Sequence, residues 1–166
     1  RVNQIAKHDL NDSLAILLPT SGTTGSSKMV KLSYINLDSN TKSIIKYLGI
    51  NNNDKTISSL PMHYSYGLSV INTHLMVGGS ITLTQFSIMQ RQFWEKMKNQ
   101  CITSISGVPY TFELMDKIGF LEMDFPNLKI LCQAGGKLKK ELHKKIAKQS
   151  LNLGRNFFVM YGATEA

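Results

Sequence analysis

Short apolar runs alternate with helical patterns along the chain, and this alternation restricts the possible folds more than any other feature. Runs rich in branched and apolar residues predict six strands, at 14–18, 55–60, 80–84, 101–105, 128–132 and 156–160. Such alternation is typical of a largely parallel sheet with helices on both faces. We therefore predict an α/β layered fold, in which ligands bind beyond the carboxyl ends of the strands.

Apolar spacing and end signals predict four helices in the gaps. The apolar positions are Leu37, Thr41, Ile44, Ile45 and Leu48 in the first, Met89, Phe93 and Met97 in the second, Leu114, Met115 and Ile118 in the third, and Leu138, Leu142 and Ile146 in the last. Gly49 suits the left-handed residue that ends a helix over 36–48. Ser87 and Gln90 are spaced as a capping box, and Pro109 favours a first helical turn.

The composition restricts the class of protein and of partner. A chain of 166 residues with 42% hydrophobic and 18% charged residues is expected to form one folded domain. Its longest apolar run, Leu14 to Leu18, is far below the ~18 residues of a membrane helix, so no span is predicted. The net charge of +8 favours an anionic partner, which could be nucleic acid, phosphate or acidic lipid.

The cluster of lysines near the end of the chain is expected on a solvated face of the last helix. Its members are Lys137, Lys139, Lys140, Lys144, Lys145 and Lys148. No aromatic residue alternates with them to stack on bases, and this disfavours a nucleic-acid patch.

Cysteine and histidine spacing predicts no metal site. Cys101 and Cys132 belong to no CxxC pair, so we expect two buried thiols in a reducing, cytoplasmic setting. His8, His63, His74 and His143 form no HxxxH pair.

A loop rich in glycine and hydroxyl residues follows the first predicted strand and reads TSGTTGSSK over 20–28. Glycines allow successive amides to converge on an anion, hydroxyls add donors, and Lys28 adds a full charge. The string matches neither a Walker A loop nor GxGxxG. Because 29–32 predicts a strand, we expect a strand–loop–strand hairpin that cradles phosphate. On the residues alone, a flexible surface loop remains an alternative.

The loop closely resembles the TSGTTGxPK signature of the adenylate-forming superfamily, which contains acyl-CoA synthetases, peptide-synthetase adenylation domains and luciferases. Downstream, PMHYSYGL over 61–68 resembles its aromatic acyl-pocket motif. Ala134, Gly135 and Gly136 resemble its nucleotide-side glycine pair, and YGATE over 161–165 resembles its YGxTE motif. All four strings follow the family's order between residues 20 and 165.

The resemblance implies an enzyme that uses ATP and Mg²⁺ to activate a small-molecule carboxylic acid. The acid would attack the α-phosphate to give an acyl-adenylate and pyrophosphate. In the full-length enzyme the acyl group would then pass to coenzyme A or to a carrier-protein thiol. Such chemistry needs fixed donors and cations around phosphate oxygens, and the residues of the loop supply them.

The resemblance also assigns roles to individual residues. The phosphate-binding residues would be Thr20, Ser21, Gly22, Thr23, Thr24, Gly25 and Lys28. Thr164 would contact the α-phosphate, and Glu165 would bind Mg²⁺. Tyr161 would stack on adenine beside Gly135 and Gly136, with Gly162 adjoining. Lys28, Thr164 and Glu165 would be the catalytic residues.

The pocket for the acid would include His63, Tyr64 and Gly135. Amino-acid-activating relatives have an aspartate where alignment on Ser65 puts His63, so acyl or aryl acids are preferred over α-amino acids. A hydrogen-bonded loop histidine is the alternative interpretation of His63.

Three positions depart from the family pattern. Ser27 and Met29 replace a proline and a glycine, which predicts a less rigid loop with its amides and Lys28 retained. Val159 stands where many relatives carry a polar residue that contacts the adenine amino group.

The resemblance implies that residues 1–166 are the central nucleotide-binding part of a larger enzyme. In the family a ribose-binding aspartate, a hinge and a C-terminal domain with a catalytic lysine follow YGxTE, so this stretch alone is expected to be inactive. A nucleic-acid-binding module and a noncatalytic scaffold with the same fold are the alternatives.

Overall fold

The computed structural model describes residues 10–20 and 28–165. In these ranges the elements are β1 (Leu14–Pro19), β2 (Met29–Ser33), α1 (Tyr34–Leu48), β3 (Lys55–Ile57), α2 (Ser65–Met76), β4 (Ser80–Thr82), α3 (Arg91–Asn99), β5 (Ser104–Gly107), α4 (Pro109–Lys117), a 3₁₀ turn (Phe120–Glu122), β6 (Ile130–Gln133), α5 (Lys140–Asn152) and β7 (Asn156–Val159). The predicted α/β class is confirmed.

The strands form two sheets. Five parallel strands have the order β4-β3-β5-β6-β7. β1 and β2 pair antiparallel in a separate two-stranded sheet, with Pro19 opposite Met29. The Thr20 N–H donates to the Lys28 carbonyl at 3.0 Å, which closes the hairpin at the two ends of the loop. The predicted strand–loop–strand arrangement is therefore confirmed, and a Walker-type helix start at residue 28 or 29 is excluded.

Helices cover both faces of the parallel sheet. On one face, side chains of α3, α4 and α5 such as Phe93, Phe112 and Ile146 join Leu131 of β6 in the larger buried cluster. On the other face, Leu48 of α1 packs with Cys132 and Ile130 of β6. Successive β6 residues thus enter opposite cores, as the alternation of a strand requires.

The residues at its two ends determine where helix α1 begins and ends. Ser33 and Asn36 form a capping box, in which the Ser33 hydroxyl accepts from the Asn36 N–H at 3.2 Å and the Asn36 amide oxygen accepts from the Ser33 N–H at 3.0 Å. The helix therefore starts at Tyr34, two residues before the predicted start. Gly49 follows with φ of +69°, as its position predicted.

The predicted capping box at Ser87 and Gln90 is wrong. The Gln90 side-chain oxygen accepts from the Ser87 N–H at 2.7 Å, which forms a turn before the helix. Helix α3 starts only at Arg91, with Gln90 as an N-cap that makes no side-chain bond to the helix. Met89 consequently precedes the helix and is exposed, whereas Phe93 and Met97 are buried as predicted.

Cys101 also contradicts the sequence prediction, because it is exposed while Cys132 is buried. Cys101 has φ of 54°, and the Ile102 N–H donates back to the Met97 carbonyl at 3.1 Å. The backbone angle and the hydrogen bond both belong to the end of α3, so β5 begins at Ser104 and not at the predicted residue 101.

The lysine cluster is exposed, as expected. Lys137 and Lys139 precede α5, so the cluster does not lie wholly on that helix. Two of its members form ion pairs with α4, Lys139 with Glu113 at 3.1 Å and Lys145 with Asp116 at 2.6 Å. Among the described residues no helix has the length and apolar character needed to cross a bilayer.

Candidate functional site

The carboxyl ends of the parallel strands share one edge of the sheet, and three of the predicted motifs leave from it. The PMHYSYGL motif follows β3, the glycine pair follows β6, and YGATE follows β7. Strand β5 lies between β3 and β6 in the sheet and is followed at the same edge by Val108 and Pro109. This edge is where a parallel sheet binds ligands.

The PMHYSYGL motif turns sharply into helix α2, which the sequence patterns did not predict. The Tyr64 N–H donates to the Pro61 carbonyl at 3.3 Å, and the helix starts at Ser65. A Cβ atom at Gly67 would collide with the Pro61 carbonyl, so only glycine fits there. His63 and Tyr64 are exposed before the helix, with ring centroids 4.5 Å apart.

Tyr66 fastens the start of α2 to the sheet. Its hydroxyl donates to the Cys132 carbonyl at 2.9 Å. Burial raises the pKa of Tyr66 well above its usual range and raises the pKa of Cys132 to about 12. Both side chains are therefore neutral at physiological pH, so Cys132 offers no thiolate nucleophile.

The glycine pair adopts backbone conformations that other residues rarely take. Gly135 has φ of +78° and Gly136 has φ of +152°. A Cβ atom at Gly135 would lie 3.2 Å from Val108 Cγ1. The Gln133 side-chain nitrogen donates to the carbonyls of Ala134 at 3.1 Å and Gly136 at 2.9 Å. Sequence reasoning missed Gln133, whose only signal is a polar residue at the end of an apolar run.

The YGATE segment leaves β7 beside the glycine turn. The Met160 N–H donates to the Gln133 carbonyl at 2.8 Å, and the next side chain, Tyr161, is 99% exposed. The Thr164 and Ser65 hydroxyl oxygens lie 3.4 Å apart, which joins this segment to the start of α2. The PMHYSYGL and YGATE motifs therefore meet at one edge of the sheet.

The hairpin part of the predicted site is only partly described. The Thr20 hydroxyl donates to the Lys28 carbonyl at 3.3 Å, and Lys28 is exposed. In residues 10–20 and 28–165, no hydrogen bond or ion pair joins Lys28 to the YGATE segment. Ser21, Gly22, Thr23, Thr24 and Gly25 lie outside the described residues, as does Ser27. The phosphate cradle therefore stays a prediction.

Protein side chains alone do not form a metal cage in the described part of the chain, where no three His, Cys, Asp or Glu residues cluster. Glu165 is a single exposed carboxylate next to Thr164. Magnesium is typically bound by one or two carboxylates together with substrate phosphates and waters. Glu165 fits that mode of binding.

Comparisons with known proteins give consistent results. 2-Succinylbenzoate–CoA ligase of Staphylococcus epidermidis is 30% identical over 170 residues, which cover 99% of this chain and 34% of that protein. O-succinylbenzoate coenzyme A synthetase from Bacillus subtilis, in complex with AMP, superposes with a TM-score of 0.77 at 25% identity over 93% of this chain and 31% of that one. The same enzyme in complex with ATP and magnesium ion gives a TM-score of 0.73 at 25% identity, over 90% and 30% of the respective chains.

The chain thus spans about a third of the length of these relatives. A sequence profile of the family described as AMP-binding enzyme matches residues 3–166. The match extends over nearly the whole chain and includes all four motifs. This chain belongs to the family of AMP-binding enzymes.

Proposed function

We propose that the protein containing this chain is an AMP-forming acid ligase. A carboxylate oxygen attacks the α-phosphorus of ATP, the bond to the pyrophosphate oxygen breaks, and an acyl-adenylate forms. A thiolate then attacks the acyl carbon, a thioester forms, and AMP leaves. The observation that carries the proposal is the contact of Ser65 with Thr164, which brings the acyl-pocket motif to the nucleotide motif in a member of the AMP-binding family.

On the nucleotide side, Tyr161 stacks on the base beside Gly135 and Gly136, with Gly162 next to it. The exposure of the Tyr161 ring supports this role, because an exposed ring is available for stacking on a ligand. The positive φ angles of the two glycines support it as well, since the absence of side chains leaves their backbone open to close approach.

On the phosphate side, Lys28 and the amides and hydroxyls of 20–25 bind the β- and γ-phosphates, and Thr164 contacts the α-phosphate. Phosphoryl transfer requires mainly positioning and electrostatic stabilisation of equatorial oxygens. Fixed donors and a lysine supply both.

Glu165 holds Mg²⁺ against the triphosphate. When bound, the ion neutralises part of the phosphate charge that would otherwise repel the incoming carboxylate. A relative carries ATP and magnesium ion together, which supports this assignment.

The acid binds next to His63, Tyr64 and Gly135. None of the residues of the PMHYSYGL motif is a carboxylate, so the motif offers no partner for an α-ammonium group. We therefore propose a small acyl or aryl acid as the substrate. Coenzyme A is the proposed acceptor, since a relative is named a CoA ligase; a carrier-protein thiol is the alternative acceptor.

The test is ATP–pyrophosphate exchange by the full-length protein with a panel of acids. The panel contains 2-succinylbenzoate, an aliphatic acid, a benzoic acid and an α-amino acid, with a reaction lacking acid as the blank. We expect exchange with an acyl or aryl acid and thioester formation on addition of coenzyme A. Absence of exchange across the panel would contradict the proposal.

A further inference from the structure

The Gln133 side chain is completely buried at the end of β6, with a relative exposure of 0%. Its nitrogen donates to the carbonyl oxygens of Ala134 and Gly136, at 3.1 Å and 2.9 Å. A primary amide nitrogen carries two hydrogens, so the glycine turn uses both of them.

The amide oxygen of Gln133 is buried, and within residues 10–20 and 28–165 no group donates to it. Exchanging the amide oxygen and nitrogen by rotation would place the oxygen beside the two carbonyl oxygens, which are acceptors as well. The turn therefore fixes the orientation of the Gln133 amide. A buried acceptor without a donor lowers stability, whereas the two donated bonds satisfy the carbonyls of Ala134 and Gly136. What the Gln133 amide contributes therefore lies in the bonds that it donates to the turn.

Besides Gln133, the turn is held at its start, where the Ala134 N–H donates to the Gly107 carbonyl at 3.2 Å. Gly135 and Gly136 have positive φ and are exposed, and no acceptor for their N–H groups lies in the described part of the chain. The Gln133 carbonyl also accepts from Met160, the residue before Tyr161. Gln133 thus contacts both segments to which the proposed function assigns the base of ATP.

We propose that Gln133 is a positioning residue that holds the glycine turn in the shape that receives the base of ATP. It acts through the backbone of Ala134 and Gly136 and does not touch the nucleotide. This inference rests on the proposed function for the identity of the ligand. The shape of the turn itself can be measured whatever the ligand is.

The experiment compares full-length wild type with Gln133→Met, which keeps the length of the side chain and removes the amide. Hydrogen–deuterium exchange of the peptide containing 134–137 should become faster in the unliganded variant at the Ala134 amide, which donates to the Gly107 carbonyl at 3.2 Å. In pyrophosphate exchange, loss of the two bonds should raise the KM for ATP about tenfold. The KM for the acid should rise less than the KM for ATP, because Gly135 is the one residue of the turn that is also assigned to the acid pocket.

Gln149→Met is the matched control. In the wild type, the Gln149 side-chain nitrogen lies 3.5 Å from the Leu121 carbonyl, where α5 packs beside the 3₁₀ turn. The substitution removes the same side-chain atoms as Gln133→Met does. We expect wild-type kinetics and wild-type exchange at 134–137. If Gln133→Met does not fold, Gln133→Asn is measured in the same way, since its shorter side chain draws the amide away from the two carbonyls.

Three results would overturn the inference: unchanged hydrogen exchange at 134–137, an equal rise in both KM values, or a lower melting temperature with an unchanged KM for ATP. A wild-type protein without pyrophosphate exchange would instead contradict the proposed function. Hydrogen exchange would still decide whether Gln133 holds the turn.

Discussion

The hydroxyl oxygens of Ser65 and Thr164 lie 3.4 Å apart, although 99 residues separate them in the sequence. Ser65 is the first residue of α2, and Thr164 follows β7. Tyr66, the neighbour of Ser65, is bonded to β6, so the start of α2 has a fixed position on the sheet. A rigid element thereby supports the hydroxyl that the proposed mechanism directs at the α-phosphate.

The first prediction concerns this hydroxyl pair. Ser65→Ala should lower kcat for pyrophosphate exchange about fivefold, the loss expected for one neutral hydrogen bond that orients Thr164. Ser69→Ala is the control, because among the described residues the Ser69 hydroxyl bonds within α2 alone, to the Tyr66 carbonyl at 2.8 Å. Equal effects of the two substitutions would show that Ser65 supports the helix and not Thr164.

The second prediction concerns Lys28. Removing its charge by Lys28→Ala should weaken ATP binding roughly tenfold to hundredfold, as expected for a charge-assisted contact with phosphate. The melting temperature should stay unchanged, since the side chain is exposed. Calorimetry with the full-length protein measures both. Lys31→Ala removes another exposed lysine, on β2, and should bind ATP normally. An ATP affinity unaffected by Lys28→Ala would contradict the phosphate cradle.

The sequence patterns predicted those parts of the fold in which local chemistry and tertiary packing agree. Gly49 ends α1 and Pro109 begins α4 because the backbone of each residue suits that place. The Ser87–Gln90 pattern failed because the same side chain can bond to the backbone of a turn as well as to that of a helix.

Two other features depend on contacts between distant residues, which spacing does not reveal. Helix α2 starts inside the PMHYSYGL motif, and its start depends on the approach of Gly67 to Pro61 and on the bond from Tyr66 to Cys132. The role of Gln133 depends on the shape of the turn that follows it. Motifs identified the residues of the candidate site, but only the fold shows which of them come together.

The third prediction concerns Glu165. A carboxylate beside a triphosphate is repelled unless a cation lies between them, so Glu165→Gln should raise the Mg²⁺ concentration needed for half-maximal pyrophosphate exchange. Glu141→Gln removes an exposed carboxylate on α5 and should leave the Mg²⁺ dependence as in wild type. A large loss of folding stability in Glu165→Gln, with normal Mg²⁺ dependence, would identify Glu165 as a structural ion-pair partner instead.

The last prediction concerns His74, which is buried on α2 with one ring nitrogen 2.8 Å from the Val70 carbonyl and the other 3.0 Å from the Ser104 hydroxyl. Burial lowers its pKa in the folded state, against smaller opposite effects of Val70 and Asp54. The unfolded chain, with a histidine pKa of about 6.5, therefore binds the proton more readily. The free energy of unfolding should be highest above that pH and fall as the pH drops below it, towards the folded pKa. Urea titrations between about pH 7.5 and about pH 5 measure this dependence of the unfolding free energy on pH. The slope should be reduced in His74→Gln and retained in His63→Gln, which alters an exposed ring. An undiminished slope in His74→Gln would assign the acid sensitivity to another group.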